Sequence, residues 1–377
     1  MKQLLSYLQQ ELPGGLQLLE QMVNMESPST DKALVDRFAR FAGSQFETIG
    51  GTVDYIPAER FGDHLRVRFR GKSSEKILLL GHTDTVFPSG EVAKRPFQIE
   101  NGRATGPGVF DMKAGILIVW SALRAYLQTG KQFEHCVTVL LTSDEEVGSS
   151  TSRALLESEA SSSRAVLVLE PSLPGGVLKT ARKGVGRFTI KAIGRAAHAG
   201  VDPARGINAI EEIARQVLSL QAMSDAGLGT TVTVGVIQGG TRSNVVPAEA
   251  AVEVDVRVAT NQEAARMAAA VHALQPHLSG ARLEIRGAIN RPPMERTTDT
   301  VRLFELARTI GAELGIDIAE GSTGGASDGN FTSALGIPTL DGLGAVGDGA
   351  HAIDEYVEIA SLPLRAALIA GLIQRIH

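Results

Sequence analysis

Along the chain, apolar and polar positions alternate in two different textures. At the N-terminus apolar residues recur at helical spacing, and after Ser27-Pro28-Ser29-Thr30 the stretch Asp31–Ile49 reads as an amphipathic helix. Thr52–Ile56 and His64–Phe69 read as strands, the second alternating through Leu65, Val67 and Phe69. Lys76–Leu80 is an unbroken apolar run, the pattern of a strand covered on both faces. Lys113–Leu127 reads as a helix, Cys136–Leu141 and Ala165–Leu169 as two more buried strands, and Glu157–Ser163 as a polar loop. This alternation predicts an α/β fold, a mostly parallel mixed sheet with helices on both faces.

Past Pro171-Ser-Leu-Pro-Gly-Gly176, a candidate hinge, the texture changes. Strand Val185–Ile193, helix Ile207–Leu220, strands Thr230–Ile237 and Ala248–Val258, helix Gln262–Leu274 and strand Arg282–Arg286 follow in the order βαββαβ, a ferredoxin-like arrangement. A second candidate hinge, Ala288–Met294, contains Pro292-Pro293. The chain then returns to helix at Thr298–Leu314, passes through a short strand, a helix and a strand, and ends on a long helix from about Asp354. The expected organisation is one domain from residues 1–177 and 288–377, with residues 178–287 inserted as a smaller α+β domain.

Composition narrows the function classes. A chain of 377 residues has room for two domains, and its net charge of −5 with no basic run gives no footprint for nucleic acid. The N-terminus has no secretory apolar core, and no run of about 18 apolar residues spans a membrane. Ala114–Leu127 and Leu364–Ile376 read instead as buried helices. Cys136 is the only cysteine, so no internal disulfide forms; it reads as a core side chain, and the pattern fits a cytoplasmic protein. No phosphate loop is present, and Gly106-Pro-Gly108 is not a dinucleotide fingerprint because Asp111 stands where the later glycine belongs.

The chemistry lies where strands end. Leu78-Leu-Leu-Gly-His-Thr-Asp84 sets His82 and Asp84 beyond an apolar strand, and Gly106-Pro-Gly-Val-Phe-Asp-Met-Lys113 sets Asp111 on a glycine-containing loop. Leu140-Leu-Thr-Ser-Asp-Glu-Glu146 and Val166-Leu-Val-Leu-Glu-Pro171 carry Glu145, Glu146 and Glu170 off two more strand ends. His351 lies in Gly347-Asp-Gly-Ala-His-Ala352. Open α/β sheets form their ligand crevice at the carboxyl ends of the strands, so these groups should converge. Imidazoles with carboxylates suit zinc, with cobalt or manganese also admitted, and the donor set fits two divalent ions better than one. Simpler readings exist: Asp111 as a helix N-cap, Glu145 and Glu146 as first-turn acids, Arg257 paired with Glu253 or Asp255 on its own strand. His64, His135, His272, His277 and His377 have no supporting pattern and read as surface or structural.

The blocks Gly-His-Thr-Asp-Thr-Val, Gly-Pro-Gly-(Xaa)2-Asp-Met-Lys, Thr-Ser-Asp-Glu-Glu-Val-Gly-Ser, Leu-Glu-Pro-Ser and Gly-Ala-His occur in this order along the chain. In these the sequence resembles the dizinc metallopeptidase family of glutamate carboxypeptidases (carboxypeptidase G type), aminoacylases, acetylornithine deacetylase and succinyl-diaminopimelate desuccinylase, and most closely the glutamate carboxypeptidase branch. The resemblance implies that His82 and Glu170 hold one zinc, that Glu146 and His351 hold the other, and that Asp111 bridges them. Asp84 would support His82, and Glu145 would be the general base and then acid. It also implies that the inserted domain is a lid and dimerisation domain, in which His198 stabilises the oxyanion, in family dimers from the partner. Arg257, with Asn244 beside it, would bind a substrate carboxylate, and Gly324-Gly325 would line the substrate; Lys183 is a looser candidate. The implied activity is release of a C-terminal amino acid from a small substrate, a dipeptide or N-acyl amino acid, by a homodimer. N-acyl-amino-acid deacylation on the same machinery is the alternative, and a non-catalytic binding protein a more distant one.

Overall fold

The computed structural model describes residues 1–376; His377, read above as surface or structural, lies outside the described residues. The chain divides into two compact units. The first comprises Met1–Ala181, Arg296–Ser322 and Ser327–His377, and the second Arg182–Glu295 with Thr323–Ala326.

In the first unit the sheet contains β1 (Thr52–Ile56), β2 (His64–Phe69), β3 (Lys76–His82), β4 (Cys136–Thr142), β5 (Ser163–Val168) and the short strand Thr339–Leu340. Their spatial order is β1-β2-β4-β3-β5 and then Thr339–Leu340. The pairs β4–β3, β3–β5 and β5 with Thr339–Leu340 are parallel, whereas β1–β2 and β2–β4 are antiparallel. The apolar run of β3 follows from its central place: Ile77 and Leu79 join the large core on one face, while Leu78 and Leu80 join a smaller cluster with Leu140, Val166 and Phe331 on the other. The large core also takes one face of helix Lys32–Glu47 and nearly all of helices Ala114–Gln128 and Leu362–Arg375. The Asp31 side chain caps helix Lys32–Glu47 by accepting from Leu34 N–H at 3.2 Å. Among the described residues no helix is long and apolar enough to cross a membrane.

A small antiparallel sheet beside this one sets the loops that matter. Its order is Gly347–Asp348, Tyr356–Glu358, Arg103–Thr105, Gln98–Glu100, with Tyr356 opposite Thr105. The terminal helix therefore begins at Leu362 rather than near Asp354, because Tyr356–Glu358 pairs as a strand. Two further expectations change here. Glu157–Ser161, read as loop, is the end of helix Arg153–Ser161. Cys136, read as core, is half-buried at the start of β4, its thiol 3.4 Å from the Ser73 carbonyl.

The second unit has β6 (Gly184–Ile193), helix Ala209–Gln221, β7 (Thr231–Gly239), β8 (Glu249–Val258), helix Asn261–His272 and β9 (Arg282–Arg291), in an antiparallel sheet ordered β7-β8-β6-β9. Val252, Val254, Val256 and Val258 of β8 pack with Ile213, Leu220, Met267 and Val271 from the two helices. The second expected hinge is mostly strand, since β9 runs through Arg291, paired with β6 across a register shift between Ile289 and Arg291. The first is a closed turn in the first unit, where Leu173 N–H donates to the Val177 carbonyl at 3.0 Å. Leu178–Ala181 stays with the first unit through hydrogen bonds of Leu178 and Lys179 to Ala319 and Asp341.

Leu79 is fully buried in the strand that ends on His82. Leu79→Ala should cost about 2–5 kcal/mol of stability, read as a lower denaturant midpoint in chemical unfolding.

Candidate active site

Every candidate group of the first unit arrives at one place. His82 is the last residue of β3, and its Nε2 stands 3.1 Å from Asp111 Oδ1 and 3.6 Å from Glu170 Oε1. The other Asp111 oxygen, Oδ2, is 3.3 Å from His351 Nε2, which in turn is 3.1 Å from Glu146 Oε2. One carboxylate thus faces two imidazoles, each of which faces a second acid. Glu145 lies in the same cluster: single donor atoms of His82, Glu145 and Glu170 fall within 4.8 Å of one another, as do those of His82, Asp111 and Glu146. Glu145 is therefore close enough to count as a donor itself.

The scaffold fixes these side chains through their main chains. His82 Nδ1 is 2.9 Å from the Asp84 carbonyl oxygen and 3.5 Å from the Asp84 carboxylate, so the Nδ1–H goes to the carbonyl and turns Nε2 toward the acids. The buried Asp84 carboxylate is used elsewhere. It accepts from Ser29 Oγ at 2.7 Å, from Glu145 N–H at 3.3 Å and from Glu146 N–H at 3.2 Å. Asp84 thus steadies both the histidine and the acidic pair. Glu145 and Glu146 sit in a three-residue 3-10 turn directly after β4. Asp111 is not a helix cap: its backbone is extended (φ −115, ψ 96), and helix Ala114–Gln128 starts beyond it. His351 adopts φ 66, a left-handed conformation that a side chain occupies at some cost.

Several supporting residues carry no motif and were not anticipated. Glu355, buried, accepts from the Gly108, Phe110 and Asp111 N–H groups. His64, read above as surface or structural, is buried against the acidic loop, its Nδ1 3.0 Å from Ser143 Oγ and its Nε2 3.3 Å from Thr151 Oγ1. Asp328 accepts from Thr142 Oγ1 at 2.9 Å and from Ser149 Oγ, on the two sides of Glu145–Glu146. The one signal for Glu355 in the sequence is its position as an acid just before a short strand, a few residues after His351.

In the second unit His198 is exposed, and its Nδ1 accepts from Gly200 N–H at 3.1 Å and Val201 N–H at 3.2 Å. That assigns the proton of the neutral ring to Nε2, which is left as an N–H donor. Asn244 is exposed beside it, its carbonyl accepting from Ala199 N–H at 3.0 Å. Arg257 pairs with Asp255 through Nε at 2.7 Å and Nη2 at 3.0 Å, and its Nη1 reaches the Gly324 carbonyl at 3.3 Å. The Gly325 carbonyl accepts from Arg182 at 3.2 Å, and Lys183 N–H donates to Thr323 at 3.0 Å.

Electrostatics in the first unit show a cluster short of positive charge. Burial pushes the Glu146 carboxyl up to about 7, against the hydrogen bond from His351, and its Oε1 is buried with no hydrogen-bond partner. Hydrogen bonds to Asp111 and then Glu146 raise His351 to about 10. Burial opposes the His82 cation, yet Asp111, Asp84 and Glu170 outweigh it and hold its pKa well above the ordinary value. Burial likewise opposes the Asp111 charge, but hydrogen bonds from His351 and His82 outweigh it and keep the carboxyl low. Protons on the imidazoles here supply positive charge of the kind that a metal cation would also bring. The donor chemistry and the orphaned Glu146 oxygen both fit divalent metal ions.

A raised histidine pKa adds stability that is complete below the unfolded value near 6.5 and is lost as pH rises through the folded value of about 10. In chelator-treated protein the stability advantage of the natural chain over His351→Asn, a residue that tolerates the left-handed backbone, should therefore be larger at pH 6 than at pH 10. Urea midpoints of both proteins at the two pH values measure it.

A model of peptidase family M20/M25/M40 matches residues 78–375. Carboxypeptidase G2 of Pseudomonas sp. (strain RS-16) is 31% identical over 96% of this chain and 89% of its own length. A succinyl-diaminopimelate desuccinylase of Thioalkalivibrio sulfidiphilus (strain HL-EbGR7) is 30% identical over 83% and 87%. Among solved structures, aminopeptidase PepT of Bacillus cereus ATCC 10987 superposes with a TM-score of 0.81 at 20% identity, over 97% of this chain and 98% of that one. With its acids and histidines converging where the strands end, the chain belongs to peptidase family M20/M25/M40 and is a metal-dependent hydrolase of the peptidase and amidohydrolase type.

Proposed function

We propose that the protein hydrolyses an amide or peptide bond whose leaving group is an amino acid with a free carboxylate. The observation that carries this is the Asp111 carboxylate, with one oxygen toward His82 and the other toward His351. That arrangement suits a bridge between two divalent ions, zinc first, with cobalt or manganese compatible. His82 and Glu170 would hold one ion, and Glu146 and His351 the other. Bound there, the ions supply Lewis acidity and lower the pKa of water from 15.7 to about 7. Glu145, held by its N–H on the Asp84 carboxylate, takes the proton of the attacking water and returns it to the leaving nitrogen.

The second unit supplies recognition. Of the five N–H groups of Arg257, Asp255 takes two and the Gly324 carbonyl one. One N–H each on Nη1 and Nη2 remains, the edge that receives a carboxylate in bidentate fashion. Asn244 and the Gly324-Gly325 loop line the same substrate. The protonated Nε2 of His198 donates to the developing oxyanion. In this reading the second unit is a lid and a dimerisation domain, and His198 acts on the site of a second copy. Support for a partner copy lies in the edge strand β7, where Val236 and Ile237 are 41% and 59% exposed, and in Leu218 of the adjoining helix at 73%. A cytoplasmic setting, read from the lone cysteine, belongs to the same proposal.

Carboxypeptidase action is the first reading because the match to carboxypeptidase G2 covers nearly the whole chain. Deacylation of an N-acyl amino acid is the second, favoured by the likeness to a succinyl-diaminopimelate desuccinylase. Turnover of short dipeptides against N-acyl amino acids and acetyl-ornithine separates them. Exhaustive chelation should abolish hydrolysis, and a divalent metal should restore it; full activity after chelation would sink the proposal. Glu145→Gln should bind metal normally while kcat falls by about 10²–10⁴-fold. Arg257→Ala should erase the preference for a free acid over its amide, chiefly through KM; an unchanged preference would remove Arg257 from substrate binding.

A further inference from the structure

We propose that Glu355 is a positioning residue for Asp111: its buried carboxylate gathers the main-chain N–H groups of the loop 108–111 and so sets where the Asp111 side chain points. The inference rests on the metal-site reading given above.

Glu355 is 1% exposed, and its three partners are main-chain N–H groups. One oxygen takes Gly108; the other takes Phe110 at 3.1 Å and Asp111 at 3.4 Å. The loop needs such an acceptor. Asp111 and Met112 both lie outside helical geometry, so neither helix nor strand pairing satisfies these donors. Gly108 adopts φ 72, and a Cβ there would meet the Thr85 methyl at 2.6 Å, so the chain can take this path only with glycine.

Chain topology explains why this acid and no other reaches the loop. Tyr356 pairs with Thr105, so the residue before Tyr356 lies against the segment that follows Thr105. The hairpin that carries Glu355 also carries His351, and turn hydrogen bonds from Ala352 N–H to the Gly349 carbonyl at 2.8 Å and from Glu355 N–H to the Ala352 carbonyl at 3.4 Å tie the two together. His351 meets Asp111 side chain to side chain, while Glu355 meets it at the main chain. One short segment therefore sets both an imidazole and the path of the acid that faces it. A carboxylate suits this task because both oxygens accept. In glutamine one oxygen becomes an NH2 group, which in either orientation points a donor at a donor.

The test uses the metal-free full chain and zinc in competition with a chromophoric chelator. Glu355→Gln should bind zinc about 10–100-fold more weakly than the natural chain, the range found when groups that support metal ligands are altered. Amide hydrogen exchange should accelerate at 108–111 while the strands of the main sheet keep their protection. Glu355→Asp, which keeps the charge but reaches less far, should fall between the two. A folded Glu355→Gln protein with unchanged zinc affinity and unchanged exchange at 108–111 would overturn the inference. If Glu355→Gln does not fold, Glu355→Asp carries the test; if that variant is unfolded too, Glu355 serves the fold as a whole and the inference is overturned. Asp111→Asn separates the two levels. Tight zinc binding by the natural chain that is lost in Asp111→Asn upholds the metal site whatever Glu355 does. A natural chain that takes up no zinc removes the metal site, and this inference with it.

Discussion

The structure depends on bringing Asp111, Glu145, Glu146 and Glu170 together in largely buried positions around two imidazoles. Carboxylates crowded out of water repel one another and lose hydration, and each penalty alone is large enough to shift a pKa by several units. The cluster persists because its geometry is imposed from outside it, by strand ends, turns and hydrogen bonds that do not involve the acids' own charges. Protonated His82 and His351 offset part of these penalties, and Glu146, raised chiefly by burial, marks the part left over. Folding energy from the surrounding core, above all the doubly covered β3, keeps in place a cluster that would otherwise separate.

The means of support follow a common logic. Asp84 holds Glu145 and Glu146 by their N–H groups, Glu355 holds the loop of Asp111 in the same way, and Asp328 takes hydroxyls from Thr142 and Ser149 on either side of the acidic turn. An acid that accepts from neutral main-chain donors fixes a loop without placing a lysine or arginine beside the cluster, where a cation would compete with divalent ions for the carboxylates. The buried Lys113 donates to the Met25 carbonyl at 2.7 Å, and burial pushes its pKa down to about 7 against the opposing charges of Glu355 and Glu26.

Sequence reading succeeded where the signal was local and failed where pairing across the chain decided the outcome. The apolar run of β3 and the alternation in β2 were legible because a strand's burial follows directly from its place in the sheet. The convergence of His82, Asp111, Glu146, Glu170 and His351 was legible because each follows or precedes a recognisable element. The start of the last helix was misplaced because Tyr356–Glu358 becomes a strand by pairing with Gly347–Asp348 on one side and with Arg103–Thr105, some 250 residues away in sequence, on the other. Glu355 was passed over for a related reason, whereas the structural reading of His64 fits its buried place beside Ser143 and Thr151. A lone acid or histidine gains meaning from the loop it meets, and that loop is distant in the chain. Arg257 shows the reverse case, since the simple pairing with Asp255 read from strand alternation is present. Both side chains are about a third exposed, so such a pair contributes at most about 1 kcal/mol and orients the guanidinium more than it occupies it.

The division of labour at Asp84 differs from the one the motif suggests. A carboxylate two residues after a metal-facing histidine would be expected to take the ring N–H and increase the imidazole's basicity. Here the shorter contact from His82 Nδ1 goes to the Asp84 carbonyl, which fixes the tautomer with a neutral acceptor. The carboxylate is thereby left to accept from Ser29, Glu145 and Glu146. A neutral acceptor strengthens the ring as a donor to metal less than a charged one would, but it ties the ring to the same residue that holds the acidic turn. Displacement of Asp84 would disturb both His82 and the Glu145–Glu146 turn, so this residue couples the histidine to the two acids.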